Sequence, residues 1–229
     1  MTSRGWSSLP QAVTSMTALT PTYHQLMILS AEARARDIKV LIFDVDGVLT
    51  DGQIIVVPDP SSRTPEDPIG SGIEIKGFSA HDGLGITLAR LGGLRVGIIT
   101  KRQSQTVAIR ARDLHLEFVY QGQSHKLAAA QEIAAKAGIT MDQMAYVGDD
   151  IVDLSVMRVC GLAIATVNAR PQVKSMAHYI TPHPGGHGAG RDAIDFILTA
   201  KGTLDKVIEQ YLDSENPAAA SADVGSGNM

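Results

Sequence analysis

Five short apolar runs punctuate the chain: Val40-Leu41-Ile42-Phe43, Val96-Gly97-Ile98-Ile99, Phe118-Val119-Tyr120, Met144-Ala145-Tyr146-Val147 and Leu162-Ala163-Ile164-Ala165. Runs this short, without polar alternation, are the pattern of strands buried on both faces. Helical segments lie between them. Gly83–Leu91 precedes the second run and Ser104–Asp113 follows it. Ser124 is placed to cap a helix carrying Leu127, Ala130, Ile133, Ala134 and Ala137, which Gly138 would stop. Leu204, Val207, Ile208, Tyr211 and Leu212 recur at the spacing of one apolar helix face. Strands alternating with helices of this length predict an α/β fold, a doubly wound parallel sheet covered on both faces. Its core runs from about Asp37 to Lys201, within a domain expected over residues 23–212.

One stretch breaks the alternation. Gln53–Val57 and Gly72–Phe78 read as two short strands, joined by a segment that holds Pro58, Pro60, Pro65 and Pro68, four of the ten prolines. Proline at that density excludes a helix, so residues 53–78 are expected to form a β-hairpin with a long, mobile tip. Met1–Thr22 is rich in Ser, Thr and Pro and has no apolar stretch of signal-peptide length, so it reads as an unstructured leader. Residues 213–229 lack periodicity and read as a disordered tail.

Composition narrows the class. With 24 acidic and 20 basic residues the net charge is −4, which argues against general nucleic-acid binding. No apolar run approaches the roughly 18 residues of a membrane span. A single cysteine, Cys160, excludes a disulfide framework and a cysteine-based zinc site and fits a reducing cytoplasm.

Ligands of a parallel α/β sheet bind beyond the carboxyl ends of its strands, so the residues after each run carry the chemistry. After the first come Asp44-Val45-Asp46-Gly47-Val48-Leu49-Thr50, and after the second Thr100-Lys101-Arg102. Lys126 opens the helix after the third, and Gly148-Asp149-Asp150 with Asp153 follow the fourth. Acids converging on one point need a cation, and oxygen ligands without His or Cys select a hard one, of which magnesium is the common choice. A carboxylate can also attack phosphorus to give an aspartyl-phosphate. Gly47 permits the turn that would bring Asp44 and Asp46 to one reacting group. Thr100 can donate a hydrogen bond, and Lys126 can neutralise charge on a transferring phosphoryl group.

The segment Asp44–Thr50 resembles the DxDGxx(T/V) signature of the haloacid dehalogenase superfamily, with Thr100, Lys126 and Gly148-Asp149-Asp150 in the remaining motif positions and order. Asp44–Gly52, Asp82-Gly83-Leu84-Gly85-Ile86, Tyr146–Asp150 and Gly185-Gly186-His187-Gly188-Ala189 are similar to the 3-deoxy-D-manno-octulosonate 8-phosphate phosphatases. The phosphatase-like domain of sialic acid cytidylyltransferases shares much of this pattern. The resemblance implies a cytoplasmic, magnesium-dependent phosphatase of lipopolysaccharide biosynthesis, a homotetramer acting on the phosphate of an eight- or nine-carbon keto-sugar acid. It makes Asp44 the nucleophile and a metal ligand. Asp46 becomes the general acid and base, with its backbone carbonyl on the metal, and Asp149 the third ligand. Thr100 and Lys126 hold the phosphoryl oxygens, while Asp150 and Asp153 support the site from behind. Neither gap between motifs has room for a cap domain, so closure of the site is expected from oligomer contacts that involve the hairpin.

Several alternatives stay open. Asp150 and Asp153 equally fit a helix N-terminus favoured by its dipole, and Lys126 fits a solvated helix lysine. His81 stands where the octulosonate phosphatases commonly carry Arg, and Lys101 where they carry Gly. These two and Arg102 lie near the expected sugar-acid contacts, so the departures bear on substrate rather than on chemistry. His183 and His187 read as loop residues. A phosphatase for a nine-carbon or other phosphomonoester and a non-catalytic tetramerisation module of the same fold are the rival functions.

Overall fold

Successive side chains of the strand Val40–Phe43 point to opposite faces, Leu41 and Phe43 into one core and Val40 and Ile42 into the other. A strand buried on both sides leaves no polar position, which is why these apolar runs mark the centre of the sheet. The computed structural model describes residues 29–214. The expected leader, residues 1–22, lies outside them.

In chain order the elements are α1 (Ala31–Arg36), β1 (Val40–Phe43), β2 (Ile55–Pro58), β3 (Gly72–Ile75), α2 (Ala80–Leu91), β4 (Arg95–Ile99), α3 (Gln105–Asp113) and β5 (Phe118–Tyr120). There follow α4 (Lys126–Ala137), β6 (Met144–Gly148), α5 (Leu154–Met157), β7 (Leu162–Ala165), α6 (Pro171–Lys174), β8 (Tyr179–Ile180), α7 (Ala189–Ala200) and α8 (Leu204–Ser214). The large sheet has the order β5-β4-β1-β6-β7-β8, and every pairing in it is parallel. The chain winds outward from β1 to β5, returns to β6 on the other side of β1, and winds outward again. The carboxyl ends of β1 and β6 therefore flank the topological switch point, where such sheets bind ligands.

Helices α1, α2, α7 and α8 cover one face through Ala35, Ile86, Leu88, Ile194, Ile197 and Val207. Helices α4 and α5 cover the other through Ala130, Ile133, Val156 and Met157. Between β1 and β4 the described residues hold the hairpin and α2, and between β4 and β6 they hold α3, β5 and α4, so there is no separate cap domain among them. Among the described residues no helix is long and apolar enough to cross a membrane.

Three local expectations change. Helix α4 begins at Lys126, so His125 rather than Ser124 holds the cap position, and no side chain caps it. Its first turn is anchored instead by the Lys126 ammonium, described below. Gly138 ends it in the left-handed conformation, φ 67°, as expected. Helix α8 runs through Ser214, so Asp213 and Ser214 are helical rather than part of a tail, and the rest of that tail lies outside the described residues. Leu204, Ile208 and Tyr211 pack on the core and carry the helix that far, while Leu212 turns to solvent. The hairpin strands pair Ile55–Pro58 with Gly72–Ile75 and are shorter than expected. Its tip is tied by Asp59 and by the Ser62 hydroxyl, which accepts the Ser71 N–H at 2.6 Å.

Candidate active site

Asp44 continues β1 by one residue, its N–H donating to the Val147 carbonyl at 2.9 Å. The chain then turns sharply. Gly47 has φ +87°, and a Cβ there would overlap the Asp149 carboxylate, so glycine is required both for the turn and for the space. The Thr50 N–H closes the loop on the Val45 carbonyl at 3.0 Å. A second backbone segment buttresses it. Gly186 N–H donates to the Val48 carbonyl at 3.0 Å, and a side chain on Gly185 would collide with the Gly47 carbonyl. The glycine pair thus allows one loop to lie backbone to backbone on the other.

Behind this loop the charged groups interlock. Lys126 Nζ is 2.6 Å from Asp44 Oδ2 and 2.7 Å from Asp153 Oδ1, with both lysine and Asp153 buried. Asp153 Oδ1 also accepts the Tyr146 hydroxyl at 2.8 Å. Its Oδ2 accepts the N–H groups of Asp149 at 3.0 Å and Asp150 at 3.1 Å. Asp149 follows β6 and turns its carboxylate toward Gly47, and its Oδ1 is buried without a hydrogen-bond partner among the described residues.

Burial pushes the Asp149 carboxyl up to about 7, helped by the negative charge of Asp153 and Asp44. Burial and Asp153 likewise raise Asp44, against the pull of Lys126. Burial works against the Lys126 ammonium, yet Asp44 and Asp153 hold it above the ordinary lysine value. The Tyr146 hydroxyl, fully buried and facing Asp153, is raised well above the usual phenol range.

Oxygens of Asp44, Asp149 and Asp153 lie within 4.8 Å of one another, three carboxylates against one ammonium. Asp153 is saturated by its donors, so the atoms open to a cation are those of Asp44 and Asp149. A buried, partnerless Asp149 Oδ1 among oxygen donors alone is what a hard divalent cation satisfies. The residues present therefore fit magnesium.

The other expected residues divide. Thr100 follows β4, is buried, and its hydroxyl has no partner among the described residues. Asp150 is exposed and caps Ile151 N–H at 2.7 Å, so its helix-terminus reading holds. Asp153 is the opposite case, buried at the centre of the network. The Asp46 carboxylate stands outside the acidic cluster. It is bonded to Lys76, with Arg102 Nε 3.8 Å from its other oxygen. Arg102 also donates to Glu74 Oε1 at 2.7 Å. Lys101 and His81 are exposed and bond to none of these carboxylates. His183 pairs with Asp192 in the first turn of α7 at 3.0 Å, and His187 with the Gly185 carbonyl of its own loop at 3.0 Å. Asp82 is structural: buried, it accepts the Arg191 N–H at 2.8 Å and clamps α2 to the first turn of α7.

Sequence reasoning missed Tyr146 and Lys76. A tyrosine inside a fully buried run needs a partner for its hydroxyl, which was a usable signal. Glu74 and Lys76 lie two apart on an extended segment, hence on one face, which was another.

Comparison with known proteins agrees with this geometry. Residues 98–190 match the family of haloacid dehalogenase-like hydrolases. The 3-deoxy-D-manno-octulosonate 8-phosphate phosphatase of Escherichia coli K12 is 40% identical over 180 residues, 79% of this chain and 89% of that protein. The crystal structure of the phosphatase of that name from Moraxella catarrhalis, in complex with magnesium, phosphate and a KDO molecule, is similar at a TM-score of 0.70. It is 36% identical, covering 79% of this chain and 97% of that one. A cobalt-bound deoxy-D-mannose-octulosonate 8-phosphate phosphatase from Haemophilus influenzae gives a TM-score of 0.65 at 34% identity, over 75% of this chain and 93% of that one.

Proposed function

The chain belongs to the haloacid dehalogenase-like hydrolases and is a phosphoric monoester hydrolase, and on that premise we propose that its substrate is a keto-deoxy sugar acid phosphate of the 3-deoxy-D-manno-octulosonate 8-phosphate type. The observation that carries the reading is the cluster of buried Asp44 and Lys126 with half-buried Asp149 at the switch point of a capless sheet. The relatives named above support the substrate class.

Asp44, Asp149 and the Asp46 backbone carbonyl would hold magnesium, which would supply the positive charge that lets a phosphate dianion approach these acids. The Asp44 carboxylate attacks phosphorus, the phosphorus–oxygen bond to the sugar breaks, and Asp46 gives the leaving oxygen its proton. Asp46 then takes a proton from water, which attacks the aspartyl-phosphate, releasing phosphate and restoring Asp44. Thr100 and Lys126 hold the phosphoryl oxygens. Asp153 and Asp150 fix the turn that carries Asp149. His81, Lys101 and Arg102 are the proposed contacts to the sugar acid at the open mouth.

One phosphatase domain, residues 23–212 with its hairpin at 53–78, performs this as a homotetramer in the cytoplasm, in the supply of sugar acid for lipopolysaccharide. The hairpin supports the oligomer, since Ile55, Val57, Ile69, Ile73 and Ile75 are exposed, Ile69 by 82%. An exposed apolar ribbon of this kind marks an association surface. The single free cysteine, buried, suits a reducing compartment.

The test is phosphate release from a panel of eight- and nine-carbon sugar-acid phosphates and simpler phosphomonoesters, with and without magnesium. The octulosonate ester should be preferred and the reaction should require the metal. Preference for a nine-carbon ester would reassign the substrate, and silence on the whole panel would favour the assembly module.

A further inference from the structure

Lys76 is a lysine of the hairpin with a buried side chain, and the proposed reaction leaves it unused. It follows β3, and its side chain is only 1% exposed, although the apolar residues beside it face solvent. Its ammonium donates to Asp46 Oδ1 and lies 3.4 Å from Glu74 Oε1. Glu74 is itself fixed. Arg102 donates to that same oxygen at 2.7 Å, and the Glu74 carbonyl accepts the Thr106 hydroxyl at 3.2 Å. Among the described residues the other Asp46 oxygen, Oδ2, has only the partly exposed Arg102 Nε at 3.8 Å. One carboxylate oxygen is therefore held by a buried donor, and the other makes no hydrogen bond among the described residues. Asp46 sits on a loop, beyond the end of β1, and the hairpin supplies a restraint that the sheet does not.

We propose that Lys76 is a positioning residue. It pins Asp46 by Oδ1, so that Oδ2 is the oxygen presented to the leaving group and later to water. The inference rests on the reading of Asp46 as general acid and base. Lys76 forms and breaks no covalent bond and keeps its protons throughout. Seating the hairpin base thereby aligns the acid.

The test uses leaving groups of different need. An alkoxide requires a proton as it departs, whereas p-nitrophenolate leaves without one. The reading is kcat/KM, which covers the steps through departure of the leaving group. Lys76→Met should lower kcat/KM on an alkyl or sugar phosphate by roughly 10- to 100-fold. On p-nitrophenyl phosphate the loss should stay below about threefold, and Lys76→Arg should restore most of the alkyl activity. In an Asp46→Ala background, Lys76→Met should cost nothing further. Equal losses on both esters, or a full additional loss in the Asp46→Ala background, would overturn the proposal. The ratio of the two esters within one sample is independent of how much of a variant folds. Asp46→Ala alone separates the two ideas. If it too affects both esters equally, the acid role of Asp46 fails and the Lys76 proposal falls with it. If Asp46→Ala discriminates between the esters and Lys76→Met does not, only the Lys76 proposal falls.

Discussion

Lys126 and Asp153 form a buried ion pair, Nζ to Oδ1 at 2.7 Å, and this pair rather than any single ligand organises the acidic site. One side of the lysine reaches Asp44, and the far side of the aspartate accepts the N–H groups that set the Asp149 turn. Asp153→Ala should therefore destabilise the fold by about 3–5 kcal/mol, because it strands Lys126, the Tyr146 hydroxyl and two backbone donors. Urea unfolding measures this. A loss below about 1 kcal/mol, the range of exposed pairs, would contradict it.

Asp149 links metal binding to pH. Its carboxyl is raised from 3.8 to about 7, so between those values the metal-free folded protein holds a proton that the unfolded chain does not. Its contribution to metal-free stability accordingly falls as pH rises through that window. Magnesium binds the deprotonated form and competes with that proton. Millimolar magnesium should raise Tm more at about pH 8 than at about pH 5.5, and Asp149→Asn should lose the magnesium shift at both. A shift independent of pH would count against the role given to Asp149.

Gly47 tests the space around that ligand. Alanine there meets both an unfavourable φ of +87° and the Asp149 carboxylate. Gly47→Ala should lower kcat/KM by roughly 10²-fold or more and weaken the response to magnesium. Near-normal activity would show that the loop relaxes freely.

The hairpin tests assembly. Ile73 is 65% exposed on the apolar ribbon. If the proposed homotetramer forms through this ribbon, Ile73→Asp should shift the mass by light scattering below that of a tetramer without lowering the melting of the sheet domain. A tetramer unchanged by this charge would place the interface elsewhere.

The strands β1, β6 and β7 were legible because burial on both faces leaves them uninterruptedly apolar, whereas β5, read the same way, is an edge strand with Val119 exposed. Gly138 marked the end of α4 through its left-handed φ. Strand β8 is two residues long and carries no period, so nothing announced it. Helix α7 was missed although Ala193, Ile194, Ile197 and Leu198 show its buried stripe. Within the site, position after a strand located Asp44, Thr100 and Asp149. It did not separate Asp150 from Asp153, because both begin a helix and the same dipole argument fits each. Their roles diverge through geometry: one turn on, Asp153 lies beneath the N–H groups it accepts, while Asp150 points to solvent. Lys76 and Asp46 were unpaired in the sequence reading because only the fold of the hairpin back onto the loop joins them.

Asp44 is the residue proposed to carry the phosphoryl group. Phosphate release from 3-deoxy-D-manno-octulosonate 8-phosphate in magnesium should be measured for the wild-type protein and Asp44→Asn side by side, with matched melting curves. The expected result is turnover by the wild type and a loss of roughly 10⁴-fold or more in the folded variant, as for removal of other catalytic nucleophiles. Wild-type turnover by Asp44→Asn would contradict the account.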